Sequence, residues 1–210
     1  MTQSPPGSAP QVVLRPLATP LALGFLALVL STVTFSAVQL GWIPPADGRV
    51  AALVAVFATA PLQLLASVMG FLARDPVAAT GMGVLAGTWG VVGVTTLTSP
   101  PGATSEGLGV LLLTAGVCML VPALSAGSKL VPAAVMLLAG TRFAVTGVYE
   151  LSSSAAWKTA AGSTGLLLGA VALYAALALE LEGSHRRTVL PLGRRGEQPI
   201  GDDPGVRPQL

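Results

Sequence analysis

The sequence predicts an all-α integral membrane protein, a bundle of six transmembrane helices. Three observations carry that prediction. Charged residues are 10% of the 210 and hydrophobic residues 52%, where ordinary soluble domains carry about 25% charge. The charges are placed so that long stretches hold none. Lys and Arg then gather in alternate connections between those stretches.

The uncharged stretches define the helices in order. Arg15 to Asp47 leaves 31 uncharged residues, Arg49 to Arg74 leaves 24, Asp75 to Glu106 leaves 30, Glu106 to Lys129 leaves 22, and Lys158 to Glu180 leaves 21. A hydrocarbon core of ~30 Å needs about 20 helical residues, so these are five spans. The sixth runs from Leu130 to Tyr149 and is interrupted by Arg142. The expected helices are therefore about 20–40, 50–72, 77–98, 108–126, 130–151 and 159–180. Turn chemistry separates them at Pro44-Pro45, Asp75-Pro76, Ser99-Pro100-Pro101-Gly102 and Ser152-Ser153-Ser154. The strands of a membrane barrel would be about 10 residues long with alternating polarity, and nothing here alternates.

The whole divides into an N-terminal tail (1–14), a transmembrane domain (15–193) and a C-terminal tail (194–210). Both tails are rich in Pro, Gly and polar residues, the composition of disorder. The first apolar stretch is longer than a signal-peptide core and similar stretches follow it, so a cleaved leader is not expected. The tails and the connections 2–3 and 4–5 hold Arg15, Arg74, Lys129, Arg186, Arg187, Arg194, Arg195 and Arg207, and the opposite connections only Arg49 and Lys158. The positive-inside rule then puts both termini in the cytoplasm of a multi-pass protein of the cell membrane.

Composition also excludes function classes. A net charge of +2 gives no basic field for nucleic acid. The lone Cys118 and the lone His185 make no disulfide, catalytic pair or zinc site. Gly81-x-Gly83-x-x-Ala86 matches a dinucleotide fingerprint, but that motif needs a preceding strand and here lies within a span. No cofactor, metal site or enzyme activity is expected.

Within the bundle, Gly83-x-x-x-Gly87 and Gly165-x-x-x-Gly169 sit at helical spacing, together with Gly90 and Gly162. Small residues at this spacing let helix backbones approach closely in lipid; a narrow path walled by exposed backbone is the other reading. Pro61, Pro122 and Pro132 each remove a backbone hydrogen bond. Each is read as a kink, or as a kink that shapes a path.

The side chain with most to say is Arg142. It lies 13 residues past Lys129, or ~20 Å along the helix. A charge at that depth costs at least ~2.5–3.5 kcal/mol on insertion scales and normally faces the bundle interior. Two readings stay open, a structural arginine that snorkels or pairs with Glu150, and a fork aimed at a substrate carboxylate. Side chains tilt toward the helix N-terminus, which argues against outward snorkelling, and Glu150 is eight residues away, ~12 Å along the axis. Gln63, midway along helix 2, bridges helices or donates to a carboxylate. Thr88 is a hydroxyl candidate with Thr19, Thr80 and Thr141, and each is also read as an ordinary helix residue. Trp89 packs or walls a path. No His, Asp or Glu lies deep in a span except Glu150 at a helix end, so no carboxylate proton relay is evident. A proton could still travel on the substrate acid, of which about one part in 500 is protonated at pH 7 for a pKa near ~4.3.

The chain closes with Arg187-Thr188-Val189-Leu190-Pro191-Leu192-Gly193, which resembles the closing signature of the acetate uptake transporter family (the YaaH/SatP-like proteins). Gly162, Gly165, Gly169 and Tyr174 in helix 6, Gln63 and Ala66 in helix 2, and Trp89 26 residues after Gln63 follow that family's spacing. Pro20-Leu21-Ala22-Leu23 resembles the latter part of its Asn-Pro-Ala-Pro-Leu-Gly-Leu motif. The resemblance covers about residues 16–193. It implies six helices per protomer, a homohexamer, and in each protomer a path for acetate, succinate or a related small carboxylate, in a channel or a proton-linked symport transporter. Pro20, Leu21, Leu85 and Trp89 join the expected path on that basis. The sequence departs from the family in having no asparagine, in Leu85 at an aromatic position, and in Gly70 where an acidic residue is expected. A channel for a neutral solute such as urea, and a membrane partner without a path, are the other readings.

Overall fold

The computed structural model describes residues 18–126, 129–185 and 187–193. The two terminal tails lie outside them, as do Arg15, Arg186, Arg194, Arg195 and Arg207. Among the described residues six helices are long and apolar enough to cross a membrane: α1 Leu21–Gln39, α2 Pro45–Leu72, α3 Val77–Thr98, α4 Glu106–Ser125, α5 Leu130–Ser152 and α6 Ala155–His185. They form the predicted all-α bundle of a multi-pass membrane protein. α1 packs most extensively on α6, α6 on α5, α5 on α4, and α2 on both α1 and α3, with a lighter contact between α3 and α4. The helices thus close a ring. One end carries the starts of α1, α3 and α5, and will be called the tail end; the other carries their C-termini and will be called the far end.

Prolines mark the irregular turns. α2 holds a π-turn at Ala55–Thr59, directly before Pro61. α3 opens with one at Val77–Gly81, directly after Pro76. Pro61 has no N–H for the carbonyl one turn back, and a wider turn accommodates that defect. α4 is interrupted at Met119, between Glu106–Cys118 and Leu120–Ser125, where Pro122 withholds the N–H due to the Cys118 carbonyl. Pro132 falls in the first turn of α5, where a missing donor matters least.

Two polar devices seat the tail end. The Asp75 carboxylate accepts from the N–H groups of Val77 and Ala78 at 3.1 Å each, capping α3, and lies 3.9 Å from the Lys129 ammonium. The closing heptapeptide caps α5. The N–H of Leu130 donates to the Gly193 carbonyl (3.3 Å) and that of Val131 to the Leu192 carbonyl (3.2 Å), satisfying donors that a helix start leaves open. The Tyr174 hydroxyl donates to the Pro191 carbonyl at 2.8 Å, and Leu192 is buried. Gly193 has φ +62° and a Cβ there would stand 2.9 Å from the Leu130 Cβ, so this position takes glycine for both conformation and space.

The small residues divide by helix. Across α4 and α5, a Cβ on Gly116 would meet the Gly140 carbonyl oxygen at 2.9 Å, and one on Gly147 the Gly109 carbonyl oxygen at 2.8 Å, which marks backbone-to-backbone packing. On α6, Gly162 is covered by Leu40 and Gly169 by Val33. The expectation for α3 needs correction. Gly83 meets the Ser67 hydroxyl, but Gly87 has no neighbour within 4 Å and Gly90 only the Ala60 methyl at 4.0 Å; the close approach on that helix is at Gly93, against Val56 and the Ala52 carbonyl. Gly70, where an acidic side chain was expected from the resemblance, lies against the backbone of Ala78 and Ala79, and a Cβ would fall 2.5 Å from the Ala79 nitrogen. No side chain fits there.

Candidate functional site

Arg142 is 2% exposed, on the inner face of α5 at mid-length. The missing side chain of Gly165 makes its place: a Cβ there would stand 2.6 Å from the Arg142 Nε. One terminal nitrogen donates to the Gln39 Oε1 at 2.5 Å, and the other to the Thr146 hydroxyl. Thr146 in turn donates to the Arg142 carbonyl at 2.7 Å. No Arg142–Glu150 ion pair forms; the Glu150 Oε2 instead accepts from the Ser105 N–H at 2.8 Å, at the start of α4. Arg142 also departs from the expected tilt. Its partners lie one turn onward in α5 and at the last residue of α1, so the guanidinium reaches toward the far end. The acceptors decide its direction, because an unsatisfied guanidinium in hydrocarbon costs more than an unfavoured lean along the helix.

Beside the guanidinium lies a cavity of about 50 Å³, bordered by Arg142, Gln39, Thr146, Glu150, Trp89 and the ring of Phe143, with Phe35, Val92, Thr96, Leu108 and Leu112 completing it. A cavity needs at least ~10–15 Å³ on this measure to hold a water, so the space suits a few waters or one very small solute. Of the five N–H groups of an arginine, Gln39 and Thr146 take two, which leaves donors to offer. The floor is aromatic. Trp89 stacks 5.6 Å from Phe35 and 5.9 Å edge-on from Phe143, centroid to centroid, and its indole N–H is buried without a protein acceptor.

Toward the far end the cavity opens into a vestibule of about 420 Å³. Phe35, Gln39, Thr96, Leu108 and Glu150 border both spaces. Arg49 and Lys158 line the vestibule. Toward the tail end the bundle is packed solid. Leu85, one turn before Trp89, is 0% exposed, as are Met82, Phe25 and Met136, and Leu21 is 1% exposed.

The structure therefore brings together two of the expected path residues, Arg142 and Trp89. Gln63, Leu85, Thr88, Pro20 and Leu21 do not border the cavity. Gln63 is buried and its amide nitrogen donates to the Gly24 carbonyl at 3.4 Å, bridging α2 and α1, while its Oε1 has no partner. The Thr88 hydroxyl donates to the Val84 carbonyl, and Thr80 and Thr141 likewise bond one turn back. Pro20 is buried at the start of α1 and Leu21 and Leu85 belong to the packed core. Sequence reasoning did not reach Gln39, Thr146 or Phe35. Thr146 carried a signal, four residues after Arg142 on the same face; Gln39 carried only its polarity at the end of an apolar span.

No family model matches the sequence, and no curated protein matches it. Among solved structures the chain is similar to one described as the structure of the bacterial acetate channel SatP, at 26% identity and a TM-score of 0.73, over 84% of this chain and 99% of that one. The likeness is to a channel and not to an enzyme. Fold, coverage and the closing heptapeptide together support the likeness to the acetate uptake transporter family.

Proposed function

We propose that the protein conducts a small monocarboxylate such as acetate across the membrane, through the interior of the single protomer, with Arg142 as the group that recognises the carboxylate. The observation that carries this reading is a buried guanidinium with spare donors beside a cavity that opens to one end of the bundle. A planar fork matches the two oxygens of a carboxylate, and low surrounding polarity strengthens that attraction over its value in water. Gln39 and Thr146 hold the fork, and the aromatic floor of Trp89, Phe35 and Phe143 accepts the methyl end of the acid.

The packed layer of Leu21, Met82 and Leu85 is the gate in this reading. An anion passes such a layer far less readily than the neutral acid, so transport linked to a proton fits the geometry. Succinate or a related dicarboxylate is a second substrate class, with its other carboxylate held back toward the vestibule. The protein sits in the cell membrane with both termini cytoplasmic, so that the vestibule faces outward. Exposed Phe57, Leu64, Val68, Phe71 and Leu72 on α2 supply apolar surface for lipid and for neighbouring protomers in a homohexamer. The deciding experiment is flux into proteoliposomes of labelled acetate, succinate, lactate and urea at pH 5.5 and 7. Acetate uptake that rises at the lower pH supports the proposal. Urea flux with no response to acetate overturns it in favour of a neutral-solute channel.

A further inference from the structure

The inner cavity explains recognition but leaves Arg49 and Lys158 without a task. They are the two cations that the sequence places outside the tail-end group, Arg142 apart, and both line the same vestibule. They come from different helices, Arg49 from the first turns of α2 and Lys158 from the first turn of α6, so the ring geometry has brought them to one mouth. Neither is ion-paired with a described residue. Asp47, two residues before Arg49, and Glu106 do not line the vestibule; Glu150, eight residues before Lys158, does, at the throat where the two spaces meet.

Along the axis the charges therefore run positive, negative, positive: Arg49 and Lys158 at the rim, Glu150 at the throat, Arg142 within. Glu150 is eight residues beyond Arg142, ~12 Å of helix. The rim cations are thus a group apart from Arg142, with the Glu150 carboxylate between them. We infer that the vestibule is a second anion station, in which Arg49 and Lys158 collect a small carboxylate from solution before it passes Glu150 to reach Arg142. Its width suits this use. At about 420 Å³ it holds a carboxylate with its hydration, so capture needs no desolvation, whereas the inner cavity of about 50 Å³ strips the hydration away. A cleft whose walls carry an excess of one sign raises the local concentration of the opposite ion. This inference rests on the carboxylate path proposed above.

The test is the concentration dependence of acetate flux in proteoliposomes, for the wild type, R49Q/K158Q and the charge-conserving R49K/K158R, at about 10 mM and about 500 mM ionic strength. The expected result is a half-saturating acetate concentration raised roughly 3–10-fold in R49Q/K158Q at low salt, with maximal flux unchanged. The difference should disappear at high salt, and R49K/K158R should match the wild type. Equal half-saturation of the wild type and R49Q/K158Q at low salt overturns the station while the carboxylate path stands. A shift shared by R49K/K158R, or one that persists at high salt, assigns these residues to structure and also overturns it. A wild type that carries no carboxylate removes both readings.

Discussion

The far half and the tail half of the bundle are built from the same kinds of helix, yet one is hollow and polar and the other filled. Around Arg142 the packing leaves a cavity and polar side chains from α1 and α5 that satisfy one another. Nearer the tails, Leu21, Phe25, Met82, Leu85 and Met136 fill the interior with no exposed surface to speak of. The lesson concerns where a charge is tolerated. A guanidinium can lie at membrane depth because the ring opens at one end and supplies fixed acceptors, while apolar side chains fill the other end.

Breaking that contrast begins with the charge itself. Arg142→Met should lower acetate flux on the order of 30-fold or more, since removing one partner of a desolvated charge pair costs about 2–5 kcal/mol. Arg142→Lys should retain part of the flux, keeping the charge and losing the fork. Labelled-acetate uptake measures both, and unchanged flux in Arg142→Met sinks the carboxylate reading. Next is the seal. Leu85→Ala should raise acetate flux several-fold and lower stability by about 2–5 kcal/mol, visible as faster uptake together with a lower midpoint of thermal aggregation in detergent. Slower uptake in this variant argues that the layer is not the gate.

The throat sharpens the comparison further. Glu150→Gln removes a negative charge facing the substrate anion, with Arg142, Arg49, Lys158 and Tyr149 as the other titratable neighbours along the path. Flux at pH 7 should rise roughly threefold, because the charge that opposes the anion at the throat is gone. Labelled-acetate flux equal to the wild type's shows that the Glu150 charge does not bear on the anion. The smallest effect is expected at the tail-end seam. Gly193→Ala forces a left-handed residue worth about 1–2 kcal/mol of strain and crowds Leu130. The thermal midpoint should fall by a few degrees while flux stays within about twofold, as fits a residue remote from the cavity.

Much of the fold was legible because the membrane imposes it. A span without ionised side chains, about 20 residues long, has few alternatives to a helix, and six such spans leave little choice of class. Arg142 was legible for the same reason, since one guanidinium in an apolar run has no neutral explanation. Its surroundings were less so. Gln39 and Arg142 are 103 residues apart, and no periodicity on α1 or α5 announces that their faces meet. Gln63, with the same side chain at a more central position, bonds instead to the Gly24 carbonyl between two helices. Gly87 and Gly165 show the same limit. Both sit in a Gly-x-x-x-Gly pattern, but one has no neighbour within the protomer and the other opens the slot in which Arg142 lies.

The sequence by itself determined that the chain crosses the membrane six times and that Arg142 lies at depth, and its closing heptapeptide carried the resemblance to the acetate uptake transporters. These properties are local: hydropathy, spacing and a contiguous motif. Only the tertiary structure decided that Arg142 leans to the far end, that Glu150 borders the same cavity without pairing with it, that Leu85 lies in the packed core, and that Arg49 and Lys158 share one mouth. Those depend on which faces of α1, α5 and α6 meet, and closely packed helices settle their faces together, through contacts between residues far apart in the chain.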